Sequence, residues 1–475
     1  MPFFRNMLSP YEPLKGDVAV IGAGIGGYVA AIRSAQLQKK VILIEKDRVG
    51  GVCLNWGCIP TKTLLVTVDL IEKAKRFNDF GLHVDGLVID FRKVMARKDA
   101  VVNHLASGVQ FLIKKNSIDF VEGRGVLESR NRIQVLRPDG SHRIVEAENI
   151  IIATGSEDSA PPQVKVDGEK ILTVREALNL KECPESLAII GGNMIGVEMA
   201  VIFQGLGSKV KIFESAANIL PTLDREVGVT YQRILKKKGI EIVTDAEVIS
   251  TSAKPNDKVE LSVISRGSTI KVETEKAVIT GRMKSSTRDL GLERVGVQMK
   301  DGFIIVDEHM RTNLPNIYAI GDVTGGKMLA HVAMTEGIIA AENIAGLGST
   351  FNPKTAPTCV YCQPEIASVG LMEEEAKRQG YDVAIGKFPL LANGRALSLN
   401  ETDGFAKVIC EKETGEILGI HLIAPHATEL ICEAVLAIGL ECTAEEIGSL
   451  IHAHPTISEA LMEAAKAVTK KAIHI

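Results

Sequence analysis

The chain has 475 residues, more than one ordinary hydrophobic core can hold, so roughly two to four domains of about 100 to 200 residues are expected. With 45% apolar and 24% charged residues it has the composition of a globular protein, and a formal net charge of -4 offers no field for nucleic acid or an anionic membrane. Small molecules or other proteins are the expected partners. The first 15 residues, MPFFRNMLSPYEPLK, carry neither the apolar run of a secretory signal nor the arginine-rich pattern of an organellar presequence, and read as a short arm. The longest apolar stretch, Val18 to Ile32, is too short to span a bilayer and is interrupted by Gly22, Gly24, Gly26 and Gly27.

Those glycines belong to a different pattern. Residues 17–46, DVAVIGAGIGGYVAAIRSAQLQKKVILIEK, predict an apolar strand, a glycine turn, an amphipathic helix and a second strand ending in an acid. This is the βαβ unit that binds a dinucleotide. Gly22 permits the tight turn, Gly24 lets the backbone approach a pyrophosphate and Gly27 lets helix meet strand. The unpaired N–H groups of the helix start would face the phosphates, and Glu45 stands where a ribose diol would be held.

Directly after it comes GGVCLNWGCIPTK, residues 50–62, with Cys53 and Cys58 five positions apart. In a continuous α-helix that spacing separates the Cα atoms by roughly 8 to 9 Å, beyond the limit of about 7 Å for a disulfide. The backbone is therefore expected to bend, with Asn55 and Gly57 as the bending residues and Pro60 in the first turn of the next helix. A thiol at a helix start has its thiolate favoured by the helix dipole. Alone, the spacing is equally that of two buried thiols.

Residues 186–215, SLAIIGGNMIGVEMAVIFQGLGSKVKIFES, repeat the first unit, with Gly191, Gly196 and Glu214 matching Gly22, Gly27 and Glu45 at one constant offset. Two dinucleotide sites follow. The middle glycine position of the copy is Asn193, a side chain that could crowd a pyrophosphate but belongs to the residue type most tolerant of left-handed backbone angles. Glu214 favours NAD over NADP, because a carboxylate accepts from a free 2′-hydroxyl and repels a 2′-phosphate.

From about Phe351 the pattern changes to strands around VYCQPEIASVG and FAKVICEKETGEILGIHLIAP, followed by helical runs from Ala427 to Leu440 and from Ser458 to Val468. Cys359 and Cys362 form a single CxxC without a second pair, which reads as structural, and no metal site is expected. In IHAHPTISEA, residues 451–460, Thr456 and Glu459 fit a capping box. His454 beside Glu459 also fits a general base, since an imidazole titrates near neutrality and a carboxylate fixes its tautomer. Eight scattered cysteines point to a reducing interior, cytoplasmic or inside an organelle such as the mitochondrial matrix, where a close pair is more often catalytic than structural.

The segment GGVCLNWGCIPTK, with the two βαβ units and HPTISE, resembles the flavoprotein disulfide reductases, and within them the dihydrolipoamide dehydrogenases, over about residues 17–475. The resemblance implies an α/β fold of two Rossmann-like domains for FAD and NAD plus a C-terminal α+β dimerisation domain. Its boundaries would be 1–155 and 282–350 for FAD, 156–281 for NAD and 351–475 for the interface. It implies oxidation of protein-bound dihydrolipoamide by a homodimer, the dithiol arriving on lipoyl domains of acyltransferases or glycine-cleavage proteins. Cys53 would exchange with substrate, Cys58 would contact the flavin, Lys62 would lie by the flavin paired with Glu198, and His454, oriented by Glu459, would be the base, with His452 supporting. Besides the glycines and Glu45, Gly125, Thr154, Gly155, Asp322, Met328, Leu329, Ala330 and His331 would line FAD. For NAD the implied residues are Gly191, Gly192, Asn193, Ile195, Gly196, Glu214, Val248 and Gly281. The stretch TGRMKSSTRDL, residues 280–290, departs from the family order after Gly281 and puts contacts between the nucleotide domains in doubt.

Overall fold

A computed structural model describes residues 12–254 and 257–475. The chain forms two compact units, one of residues up to Pro60 with Arg97–Ser159 and Arg282–Asn352, the other of Thr61–Ala96, Ala160–Gly281 and Pro353–Ile475. Most of the N-terminal arm expected from the sequence lies outside the described residues. Its last part is not an arm, because Leu14 and Lys15 already pair in the strand Leu14–Ile21, opposite Val145 and Glu146.

In the first unit the strands run in the order Asp119–Glu122, Val41–Glu45, Leu14–Ile21, His142–Ile152, Arg132–Leu136 and Arg124–Ser129, and Ile317–Ala319 also pairs with His142–Ile152. The neighbours from Asp119–Glu122 to His142–Ile152, and Ile317–Ala319, are parallel. Val41–Glu45 is buried at every position, as a strand covered on both faces must be, which is why it reads as an unbroken apolar run. The helix Ile25–Gln36 follows the first glycine turn and packs on Ala330–Ile344. Glycines allow that approach, since a Cβ on Gly26 would meet the Ala333 carbonyl oxygen at 2.8 Å and one on Gly337 the Gly26 oxygen at 2.6 Å.

The second unit repeats the plan as a parallel sheet ordered Glu241–Val243, Lys209–Phe213, Ser186–Ile190, Lys276–Ile279 and Ile171–Thr173, with the helix Met194–Gly205 after the second glycine turn. A separate antiparallel sheet, ordered Thr358–Val360, Glu365–Gly370, Ile417–Ala424, Phe405–Glu411 and Val383–Pro389, carries the helices Ala427–Gly439 and Glu459–Val468 on its apolar side. The altered stretch after Gly281 forms a regular ladder, Arg282–Ser285 running antiparallel to Ser156–Ser159. Among the described residues no helix is long and apolar enough to cross a membrane.

Candidate active site

The cysteine segment folds as two helices. Gly51–Trp56 ends at Gly57, whose φ of -130° and ψ of -105° lie off the helix, and Cys58–Lys75 begins at the next residue. Gly57 therefore makes the expected bend. Asn55 does not: it stays inside the first helix, buried, and its amide donates to Val49 O at 3.0 Å and Gly51 O at 2.9 Å, stapling the segment's entry. Cys53 lies in the first turn of one helix and Cys58 opens the other, and both are half-buried. The entry is bound to the first nucleotide turn, Gly50 N donating to Ala23 O at 2.8 Å and Gly50 bridging Gly24. Gly50 and Gly51 were not singled out in the sequence, although consecutive glycines at a helix start are a legible signal for positive φ, here +93° and +59°.

Further along the second cysteine helix, Lys62 Nζ donates to both carboxylate oxygens of Glu198, at 2.9 and 2.8 Å. Glu198 is only 5% exposed and lies on Met194–Gly205. A Cβ on Gly205 would stand 2.3 Å from Val68 Cγ1, so this glycine lets the two helices close on each other. Two contacts that the sequence did not reveal complete the pair: Tyr361 N donates to Glu198 Oε1 at 3.1 Å, and the Tyr361 ring centre lies 4.6 Å from Lys62 Nζ, a cation–π distance.

The two glycine turns match in detail. Gly22 has φ +105° and Gly191 φ +112°, and a Cβ on Gly27 or Gly196 would fall 1.9 or 2.0 Å from the carbonyl oxygen of Gly22 or Gly191. Both acids are held alike: Glu45 accepts from Ala23 N and Asp47 N at 2.7 and 2.8 Å, Glu214 from Gly192 N and Ala216 N at 2.6 and 2.8 Å. Each carboxylate keeps lone pairs for a ribose hydroxyl. At Gly24 the space is open, the nearest atom to an added Cβ being Gly51 Cα at 4.0 Å, so a phosphate group fits over the helix start.

Asn193 enters the second turn for a different reason than its tolerance of left-handed angles. Its φ is -70° and ψ -178°, an extended conformation open to any residue. Its Oδ1 accepts from Gly196 N at 2.9 Å and its amide donates to Thr280 O, so it is a helix N-cap. The side chain folds back onto the turn. Ile195 is half-buried in the first turn of the helix, Val248 is buried in the strand Ala246–Ala253, and Gly281 follows Thr280, whose hydroxyl donates to Gly191 O.

In the first unit Thr154 Oγ1 donates to Ser286 O and Ser286 N to Gly155 O, both at 2.9 Å. Gly125 packs on Ile21, 3.0 Å from an added Cβ to Ile21 Cγ2. Asp322, in the turn Gly321–Thr324, accepts from Ser156 Oγ at 2.5 Å, and burial pushes its carboxyl up. Met328, at φ +44°, and Leu329 lead into the helix that Ala330 and His331 begin.

In the C-terminal part His454 Nδ1 stands 2.9 Å from Glu459 Oε1, and Thr456 N donates to Glu459 Oε2 at 2.8 Å. Partial burial works against ionisation of Glu459, but the Thr456 N–H and His454 together hold its carboxyl below the usual range. Only half of the expected capping box forms, because the Thr456 hydroxyl donates back to Ala453 O and the helix begins after Ser458. The two histidines are not alike. His454 is exposed, whereas both ring nitrogens of His452 face acceptors, Glu433 Oε1 at 2.9 Å and Leu450 O at 3.2 Å. Cys362 is fully buried, and burial followed by the charge of Glu365 pushes the Cys359 thiol up to about 12.

The sequence profile of the pyridine nucleotide-disulphide oxidoreductases matches residues 16–337, and the profile of that family's dimerisation domain matches residues 356–465. The chain belongs to this family. As a pyridine nucleotide-disulphide oxidoreductase it is a flavoprotein enzyme that uses FAD and NAD. Its relatives include a dihydrolipoyl dehydrogenase of Bacillus subtilis, 44% identical over 96% of this chain and 99% of the relative. Solved structures of the same fold include LpdA from Mycobacterium tuberculosis, with a TM-score of 0.88 and 28% identity over 95% of this chain and 99% of that one. Another is the HOCl-induced flavoprotein disulfide reductase RclA from Escherichia coli, with a TM-score of 0.85 and 29% identity over the same shares.

Proposed function

We propose that this chain is a dihydrolipoyl dehydrogenase, oxidising protein-bound dihydrolipoamide to lipoamide and reducing NAD. The observation that carries the reading is the cysteine segment: two thiols at the starts of two helices broken at Gly57, bound at their entry to the first dinucleotide turn. The B. subtilis relative, matched along nearly its whole length, supports the substrate. Residues 1–155 and 282–350 are assigned to FAD, 156–281 to NAD and 351–475 to the interface.

Cys53 and Cys58 are thiols in the structure; in the oxidised enzyme they would be joined, and a dihydrolipoyl thiolate attacks Cys53 Sγ of that disulfide, forming a mixed disulfide and releasing Cys58 as thiolate. The second substrate thiolate then attacks its own linked sulfur, closing the lipoyl disulfide and releasing the Cys53 thiolate. His454 Nε2 takes the substrate proton, because Glu459 holds Nδ1–H and leaves the other nitrogen as the acceptor. Lys62 is held by Glu198 and Tyr361, which keeps its cation fixed in place. FAD, held by the first glycine turn with Glu45 and by Asp322, would supply an acceptor for the electron pair of the dithiol and a hydride donor toward NAD. Glu214, fixed by Gly192 N, would accept from the NAD ribose hydroxyls.

Because His454 is exposed on its own chain and Leu436, Leu440 and Ile451 stand exposed nearby in sequence, we read the enzyme as a homodimer that covers this face. Its substrate arms are the lipoyl domains of acyltransferases or glycine-cleavage proteins, and its compartment is a reducing one. The test is a steady-state assay with dihydrolipoamide and NAD beside one with glutathione disulfide and NADPH. Turnover only in the second pair would overturn the reading.

A further inference from the structure

One buried carboxyl has no part in the steps above. Glu336, on the helix Ala330–Ile344, is 7% exposed, and its Oε2 accepts from Gly321 N at 2.6 Å. Gly321 opens the turn that carries Asp322, and Gly321 itself has φ +71°. Asp322 in turn holds Ser156 from the strand Ser156–Ser159. A single side chain thus ties a helix to the turn whose next residue, Asp322, is expected to line FAD.

We propose that Glu336 is a positioning residue of the FAD site, a buried carboxyl that fixes the Gly321–Thr324 turn and with it Asp322. Asp322 acts on the buried Glu336 as a like charge, and where burial keeps water away two negative charges oppose each other strongly. Of the charged groups on the elements packed against this helix, Asp322 acts on Glu336, while Arg33 on Ile25–Gln36 is committed to Glu342, 2.6 Å away. Burial first, and Asp322 second, push the Glu336 carboxyl up to about 7, against the opposing effect of the Gly321 N–H.

The direction of the pH effect follows. A carboxyl raised on folding supports the folded holoprotein most at acid pH, and that support is lost as pH rises from the ordinary 4.5 through about 7. The holoprotein should therefore be less stable at pH 8 than at pH 6 and should release FAD at a lower temperature there.

The proposal rests on the Asp322 region being the FAD site but not on the substrate. Its test is the release of FAD fluorescence from holoprotein on heating, between pH 5.5 and 8.5, in the wild type, E336Q and E336A. The glutamine keeps an acceptor for Gly321 N and cannot ionise. The expected result is a release temperature that falls with pH in the wild type, stays flat in E336Q, and is lowered at every pH in E336A. Parallel pH curves for wild type and E336Q would overturn the proposal, as would E336A holding FAD like the wild type. If E336A fails to fold, rebinding of FAD to wild-type and E336Q apoprotein decides: E336Q should bind several-fold faster at pH 8 and equally at pH 5.5, and equal rates at both would overturn it. Loss of dihydrolipoamide turnover in the wild type with these FAD results intact would count against the substrate only.

Discussion

Gly51 lies so close to Gly24 that a Cβ added to it would stand 2.7 Å from the Gly24 Cα. The start of the cysteine helix and the nucleotide turn are thus packed backbone to backbone, and neither can shift alone. Gly51→Ala brings both this clash and a strained φ of +59°, and should cost about 1 to 3 kcal/mol. The purified variant should show a lower flavin to protein absorbance ratio and a lower melting temperature. Gly108→Ala, where nothing lies within 4 Å, is the control and should keep both. Full flavin content in Gly51→Ala would show that the packing is not needed.

Asn193 acts as an N-cap, so Asn193→Ala should lower stability by about 1 kcal/mol and Asn193→Gly by only a few tenths. The side chain is taken up by Gly196 N and Thr280 O, so the NAD contact expected at this position would come from its backbone. The KM for NAD should therefore hold steady or fall in Asn193→Gly. A several-fold rise would mean that the amide touches the dinucleotide.

Glu198 is the buried member of its pair and Lys62 the more exposed one, at 6% and 30% of the side chain. Glu198→Ala leaves the lysine without its two acceptors and should destabilise by about 1 to 3 kcal/mol, less than a fully buried pair because solvent reaches Lys62. Urea unfolding measures this. The variant should also alter the visible spectrum of the two-electron-reduced enzyme, which a purely structural role would leave unchanged.

His454→Gln removes the base and should cut dihydrolipoamide turnover by roughly 10²- to 10⁴-fold. Oxidation of NADH by ferricyanide does not draw on that proton and should persist. Equal loss of both activities would move His454 out of the thiol step.

The Glu459 carboxyl is held below the ordinary range, so the stability it contributes is present at neutral pH and lost as pH falls through its lowered pKa. Wild type should melt above Glu459→Gln at pH 7. The gap should close on the acid side of the usual carboxylate range, and a gap that widens there would contradict the assignment.

The sequence by itself determined what local spacing can dictate. Glycines two and five positions apart between a strand and a helix left one backbone path, and the structure repeats it at Gly22 and Gly191 with nearly the same φ. A disulfide between cysteines five apart excludes a continuous helix, and the chain does break, at Gly57. Where several residues could serve one local purpose, the structure chose differently: Asn55 staples rather than bends, Thr456 donates backward rather than capping, and Asn193 caps a helix where the sequence offered only its tolerance of left-handed angles.

Only the tertiary structure decided the contacts between residues far apart in the chain. Glu198 is 136 positions from Lys62, and Tyr361 reaches the same carboxylate from 163 positions beyond it. No periodicity encodes such meetings, because they depend on how whole helices and sheets pack. Without the family resemblance, Lys62 reads as an ordinary helix lysine. The same holds for Glu336, which looks like a helix surface acid until the packing of Ala330–Ile344 removes it from water and sets it against Gly321. Burial, not residue type, gives that carboxyl its chemistry.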